Sequence, residues 1–319
     1  MRERFTSDCG ESFSFAILSF KSALAVLADG RSNMEAGGTR IAHLSDVHML
    51  EARPGRSRAG WSMRHHFLSF GRPLDVAGRR RKLASSLSAA RRGGASHVVI
   101  SGDLTETGLQ GEYEALAEAL HDCEFAPDQI TLVPGNHDLY ESPDAWRMAV
   151  EGPLSAFAET SACGRNQVIE RAGAYILPLD VAFHQAVTRS AGVIGADTLA
   201  VLADRAADPT LSGRPLVVVQ HHPPFVRKTS ALHWLDGLVG AARLMTLLES
   251  FRHVFVLHGH LHTVVDRVLG SGAARILGAT AVVEDRDQPR VRLYDVRGGA
   301  LHPVVAPRAV EFTSQPSWA

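Results

Sequence analysis

Five short polar segments constrain this 319-residue chain more than any other feature. They are Asp46-x-His48, Gly102-Asp103, Gly135-Asn136-His137-Asp138, His221-His222-Pro223-Pro224 and Gly259-His260-x-His262. Each follows an apolar run, so each sits where a strand ends and a loop begins. Taken singly, most have a simpler explanation: for Asp46-x-His48 a surface carboxylate and a packed imidazole, and for Gly102-Asp103 a turn. The ordered set of five is different. Asp, Asn and His gathered from five strand ends suit a pair of hard-to-borderline divalent cations, so the fold must bring those ends together.

From residue 39 onward, strand patterns alternate with helical ones. Strands are expected at 40–44, 97–100, 129–133, 174–179, 215–220 and 253–257, with three more near 263–268, 274–278 and 290–296. Helices are expected at 80–92, 111–121, 144–158, 196–207 and 238–250, from apolar residues at helical spacing such as Leu83, Leu87 and Ala90. The two halves share this rhythm, and both carry ligand segments. The expected class is α/β: two packed mixed β-sheets flanked by helices, a four-layer α/β/β/α sandwich with one shared site. The expected organisation is an N-terminal extension at 1–38, one domain at 39–306 and a tail at 307–319.

Composition narrows the setting. A net charge of −1 implies no general attraction to nucleic acid or membrane, and an apolar fraction of 45% is enough for a large core. Cys9, Cys123 and Cys163 are widely spaced and odd in number, which favours a reducing compartment and a cytoplasmic location. Residues 13–28 come nearest to an apolar span, but Lys21 and several serines interrupt them. They read as an imperfect secretory signal or as an amphipathic or disordered extension; if Met34 is the natural start, residues 1–33 are a translation artefact.

The set of five resembles the calcineurin-like metallophosphoesterase superfamily. The family pattern D-x-H, G-D, G-N-H-[D/E], H, G-H-x-H is complete here, over residues 39 to 296 or so. The resemblance implies two divalent metal ions, of manganese, iron, zinc or cobalt. Asp46, His48, Asp103 and His262 would hold the first. Asp103 would bridge to the second, which Asn136, His221 and His260 complete. His137 would sit beside the scissile phosphate as proton donor or positioning group, with Asp138 orienting it. His222 is left as a substrate contact or a packed side chain. The implied chemistry is in-line attack of a metal-bridging hydroxide on phosphorus. Two divalent ions against two aspartates and a hydroxide leave one positive charge, which suits a phosphodiester.

The Asp103 loop lacks the arginine that clamps phosphomonoesters in the protein-phosphatase branch, and His221-His222-Pro223-Pro224 is similar to bacterial phosphodiesterases. The expected substrate is therefore a phosphodiester: a cyclic nucleotide, a glycerophosphodiester or a lipid-linked phosphate. Residues 52–81 add a further expectation. They hold Arg53, Arg56, Arg58, Arg64, Arg72, Arg79, Arg80 and Arg81, interleaved with Trp61, Met63, Phe67, Leu68 and Phe70. This is either a solvated basic loop or a basic, apolar lip for peripheral membrane contact or a lipid-linked pyrophosphate. Nucleic acid is disfavoured, since no basic stripe runs through the rest of the chain. Trp234, in the loop after the fourth motif, reads equally as pocket lining or core. A non-catalytic scaffold retaining the fold is the alternative from another class.

Overall fold

Alternation along the strands sorts the apolar residues into separate cores. A computed structural model of the protein describes residues 39–51, 61–163, 167–270, 274–284 and 288–304. The expected N-terminal extension and C-terminal tail lie outside these residues. The first sheet contains β1 (Thr39–Leu44), β2 (His97–Ser101), β3 (Ile130–Val133), β12 (Arg292–Arg297) and β13 (Ala300–Pro303), in the order β13-β12-β1-β2-β3. The second contains β4 (Ile169–Arg171), β5 (Ala174–Pro178), β7 (Leu216–Val219), β9 (Val254–His258), β10 (Val265–Val268) and β11 (Arg275–Gly278), in the order β10-β11-β9-β7-β5-β4. A two-stranded ribbon joins β6 (Gly192–Val193) to β8 (Leu238–Val239). In the first sheet β1, β2 and β3 run parallel and β12 and β13 add antiparallel pairs on one side; in the second, β11, β9, β7 and β5 run parallel between antiparallel edge strands β10 and β4.

Successive residues of a strand face opposite sides of its sheet. Ile41, Val99 and Val133 of the first sheet therefore meet Ile176, Val217, Val219, Phe255 and Leu257 of the second in a core between the sheets. Their neighbours Ala42, Leu44, Val98, Ile100 and Leu132 face outward, onto helices α2 (Val76–Arg92), α3 (Gln110–His121) and α4 (Ala145–Glu151). On the far side, Leu216, Val218, Val254 and Val256 pack against α5 (Ala196–Ala207) and α7 (Ala241–Leu248). The result is the four-layer α/β/β/α sandwich expected from the sequence. Parallel strands covered on both faces need near-continuous apolar runs, and 216–219 and 254–257 supply them.

Local details differ from expectation. The helix expected at 144–158 is α4 followed by a separate 3-10 turn at Ser155–Thr160, because the chain turns at Gly152-Pro153. The helix expected at 238–250 gives its first two residues to β8, and Gly240 adopts a left-handed conformation before α7 begins. Two short helices, α1 (Met63–Leu68) and α6 (Ser230–Asp236), fall where loops were expected. No described helix is long and apolar enough to cross a membrane.

The basic segment does not present a free cationic face in its described part. Arg64 pairs with Glu141, Arg72 and Arg79 with Glu106, Arg80 with Glu118 and Asp122, and Arg81 with Asp75. Arg53, Arg56 and Arg58 lie outside the described residues. Trp61 and Leu68 are buried, whereas Met63, Phe67 and Phe70 are exposed. Arg79 is itself buried: its guanidinium reaches the Glu106 carboxylate and the His48 carbonyl, which ties α2 to two ligand-bearing loops. Removing one partner of a buried ion pair strands the other charge. Arg79→Met should therefore cost about 3–5 kcal/mol of unfolding free energy, read by denaturant titration. A loss no larger than that of an exposed control, Arg81→Met, would show that the pair does not hold the loops.

Candidate metal centre

All five sequence segments lie at the C-terminal ends of parallel strands, the edge of an α/β sheet where ligands bind. Asp46-x-His48 follows β1, Asp103 follows β2, Asn136-His137 follows β3, His221 follows β7, and His260-x-His262 follows β9. The pairing of β1 with β2 continues past the strand ends, through Asp46 N–H to Gly102 O at 3.0 Å and His48 N–H to Asp103 O at 2.9 Å. Gly259 N–H to His221 O, at 3.0 Å, does the same for β7 and β9. The sheets meet at the site itself: His221 Nδ1 bonds Ser101 O at 2.8 Å, and Val282 N–H donates to Ser45 O at 2.9 Å.

The backbone beyond the strand ends sets the direction of these side chains. Asp46, His48, Asp103, His260 and His262 all have positive φ, between 49° and 66°, just beyond their strands. Only seven described non-glycine residues do so, so the strain is concentrated at this site. Each such residue costs of order 1–3 kcal/mol and persists only where its surroundings impose the conformation. The glycines beside them serve close approach. A Cβ at Gly259 would overlap Ser45 Oγ, and one at Gly135 would overlap the backbone nitrogen of Asp103.

The donor atoms converge. Those of Asp46, His48 and His262 lie within 4.8 Å of one another, as do those of Asp46, Asp103 and His221, and of His48, Asp103 and His137. Asp103 Oδ2 is 3.3 Å from His221 Nε2 and 3.8 Å from His48 Nε2, and Asp46 Oδ1 is 3.3 Å from His262 Nε2. Asn136 places its amide nitrogen on Tyr140 Oη at 2.9 Å, leaving Oδ1 without a partner. His260 stacks edge-on to His221 with centroids 5.2 Å apart and bonds the Asp236 carbonyl through Nε2 at 3.1 Å. That assigns Nδ1 as its remaining donor. His222 packs behind the ligand candidates: its buried ring lies 4.5 Å from that of His260 and 5.0 Å from that of His221, centroid to centroid, and its Nε2 bonds Ser190 O at 2.8 Å.

Buried polar atoms normally find partners. Here both oxygens of Asp46, both ring nitrogens of His48, Asn136 Oδ1 and His221 Nε2 make no hydrogen bond among the described residues. Oxygen and imidazole donors, buried, clustered and without hydrogen bonds, fit divalent cations. The electrostatics agree. Burial alone would raise Asp103, but the imidazoles of His221, His137 and His48 hold it well below the usual carboxylate range. Burial alone would lower His221 and His262, yet Asp103 pushes the former up to about 9, and Asp46 with Glu284 does the same for the latter. Protons on these two rings thus stand in for cationic charge, and metal would have to displace them.

One expected contact is corrected by the geometry. Asp138 does not touch the His137 ring. Its oxygens accept from the backbone of Leu104, Thr105 and Gly135 and from the Thr105 hydroxyl, at 2.7–3.0 Å, so it locks the Asp103 loop to the Asn136 loop. Burial and the nearby Asp103 push it up to about 7, against these donors. The His137 ring is oriented by the Glu106 carbonyl, 2.7 Å from Nδ1, which leaves Nε2 free and 4.0 Å from Asp103 Oδ2.

Four supporting residues escaped the sequence reading. Glu106 serves two histidines, with its carbonyl on His137 and its carboxylate 3.6 Å from His48 Nδ1. Glu284 accepts from His262 Nδ1 at 2.5 Å, which directs Nε2 toward Asp46. Tyr140 orients Asn136, and the Asp236 carbonyl holds His260. Such outer partners fix the tautomer and direction of ligating imidazoles. Tyr140 was within reach of sequence reasoning, four residues after Asn136 in the same turn; Glu284 carried no signal.

Comparison with known proteins agrees with this arrangement. Residues 39–264 match the sequence profile of the calcineurin-like phosphoesterases. A Rhodopseudomonas palustris protein named as a probable cyclic nucleotide phosphodiesterase is 28% identical over 208 residues, 64% of this chain and 70% of that protein. Among solved structures, a dimetal phosphatase from Danio rerio superposes with a TM-score of 0.55 at 14% identity, covering 81% of this chain and 92% of that one. The protein TT1561 of Thermus thermophilus gives 0.52 at 13% identity, covering 84% and 98%. At such identities the two structures attest the fold alone. The profile match, which spans the first four motifs and the Gly259-His260-x-His262 segment, means that the chain belongs to the calcineurin-like phosphoesterase family.

Proposed function

We propose that the protein is a dinuclear metal-dependent phosphodiesterase. The carrying observation is the group of buried, unpartnered donors on Asp46, His48, Asn136 and His221 around the Asp103 carboxylate. In this reading Asp46, His48, Asp103 and His262 hold one divalent ion, and Asp103, Asn136, His221 and His260 the other. Manganese, iron and zinc all suit mixed nitrogen and oxygen donors. When bound, such a pair lowers the pKa of coordinated water and draws charge from phosphoryl oxygens.

The chain's own groups supply the rest. His137 donates Nδ1–H to the Glu106 carbonyl, so any proton it gives to a leaving oxygen comes from Nε2 as imidazolium. Asp138 keeps the loops carrying Asp103 and His137 in register. The phosphodiester preference is supported by the absence of an arginine in the 103–108 loop, by His221-His222-Pro223-Pro224, and by the name of the Rhodopseudomonas palustris relative. One observation favours a second reading, hydrolysis of a lipid-linked pyrophosphate: the exposed side chains of Met63, Phe67 and Phe70.

A panel of phosphoesters with manganese, iron, zinc and cobalt tests both readings. Bis(4-nitrophenyl) phosphate should turn over faster than 4-nitrophenyl phosphate with at least one metal. Faster monoester turnover with every metal would remove the diester preference, and turnover of a nucleotide-linked lipid alone would establish the second reading. Two variants test the roles. His137→Ala should keep its metal content and lose about 10²–10⁴-fold in kcat, whereas Asp103→Ala should lose metal as well as turnover. Metal analysis beside steady-state kinetics separates these; equal metal loss in both, or in neither, contradicts the assignment.

A further inference from the structure

One arginine near the candidate metal centre has no carboxylate partner among the described residues. Arg64, Arg72, Arg79 and Arg227 are all committed to acids. Arg189 is not. Its guanidinium lies 4.9 Å from the Trp234 ring centroid and 5.2 Å from that of Phe183, and its Nε donates to the Trp234 carbonyl at 2.8 Å. The rings occupy the guanidinium's face and the carbonyl occupies Nε, leaving the two terminal nitrogens as an open fork. A fork so held loses little entropy on binding, and it matches paired phosphate oxygens.

The segment that carries Arg189 is tied to the metal centre on several sides. Tyr140 Oη, which orients Asn136, donates to the Arg189 carbonyl at 2.9 Å. His222, adjacent to His221, bonds the Ser190 carbonyl. Ser190 N–H and Gly192 N–H donate to the carbonyls of Leu235 and Gly237, so the segment runs beside α6 and the residue after it. The Asp236 carbonyl holds His260. Trp234 and Asp236 are two residues apart, at most about 7 Å of chain. Arg189 is therefore a cation at the rim beside the second group of donors. Trp234, 61% exposed, is rim and not core.

We infer that Arg189 binds a second phosphoryl group, so that the preferred substrate is a diester of pyrophosphate and not a diester of a single phosphate. The inference rests on the dinuclear phosphodiesterase reading. Two divalent ions, two aspartates and a hydroxide leave one positive charge, and Arg189 adds another, which matches the two negative charges of a pyrophosphate diester. In the reaction, water's oxygen bonds to one phosphorus, the bridging oxygen leaves with the other phosphoryl group, and two phosphomonoesters result. The protons of water end on solvent and product oxygens.

The matched pair bis(5′-adenosyl) phosphate, with one phosphate, and diadenosine 5′,5′-diphosphate, with two, isolates the second phosphoryl group. Wild-type enzyme loaded with its best metal should show the lower KM for the diphosphate. Arg189→Gln should raise that KM by about tenfold or more, with kcat and the one-phosphate KM within about twofold. Arg189→Lys should recover part of the loss, as a point charge without the fork. Unfolding temperatures close to wild type would exclude loss of fold. Equal effects of Arg189→Gln on both substrates, no effect on either, or a wild type that cleaves only bis(5′-adenosyl) phosphate would overturn the inference and leave the phosphodiesterase reading standing. A wild type inert toward both and toward bis(4-nitrophenyl) phosphate would instead remove the reading on which it rests.

Discussion

Two carboxylates, those of Asp46 and Asp103, lie buried where only imidazoles lie within ion-pair distance among the described residues. Burying an unpaired anion is costly, and no described lysine or arginine pairs with these two. The protein carries this burden at the junction of its two sheets, where strand ends from both halves must meet for any ligand set to form. The sandwich, the left-handed ligand residues and the outer hydrogen bonds are all arranged around that demand. Protons on His221 and His262 balance the charge without metal, and in the proposed function divalent ions take their place.

The fold's contribution is rigidity at loops that would otherwise be free. Parallel strand ends diverge into loops, yet here backbone pairing continues past them through Asp46, His48 and Gly259. Arg79 adds a buried cation that joins α2 to the His48 carbonyl and to Glu106. Asp138, expected to orient His137, instead clamps two loops together. A carboxylate with four good donors is a structural fastener, and a carbonyl proves sufficient to orient the catalytic candidate.

Much of this was legible in sequence because it rests on short-range pattern. Short apolar runs located the central strands, and the polar segments after them marked the site. What escaped lacked a local signature. Helices α1 and α6 have six and seven residues, too short for a clear helical period. Strands β4, β6, β8 and β13 are edge or ribbon pieces of two to four residues, formed by their pairing partners and not by their own composition. The basic segment misled because charge counts do not show pairing: Glu106, Glu118, Asp122 and Glu141, which pair Arg64, Arg72, Arg79 and Arg80, lie far along the chain. Glu284 and Arg189 reach the site only through tertiary contacts, so nothing near them in sequence announces their place.

The central claim is that one buried carboxylate, Asp103, lies between two cation sites. The most direct measurement is anomalous scattering from crystals grown with manganese. The account predicts two peaks a few ångströms apart on either side of the Asp103 carboxylate, one bordered by Asp46, His48 and His262 and the other by Asn136, His221 and His260. A single peak at saturating manganese, or peaks at which Asp103 is not shared, would contradict it.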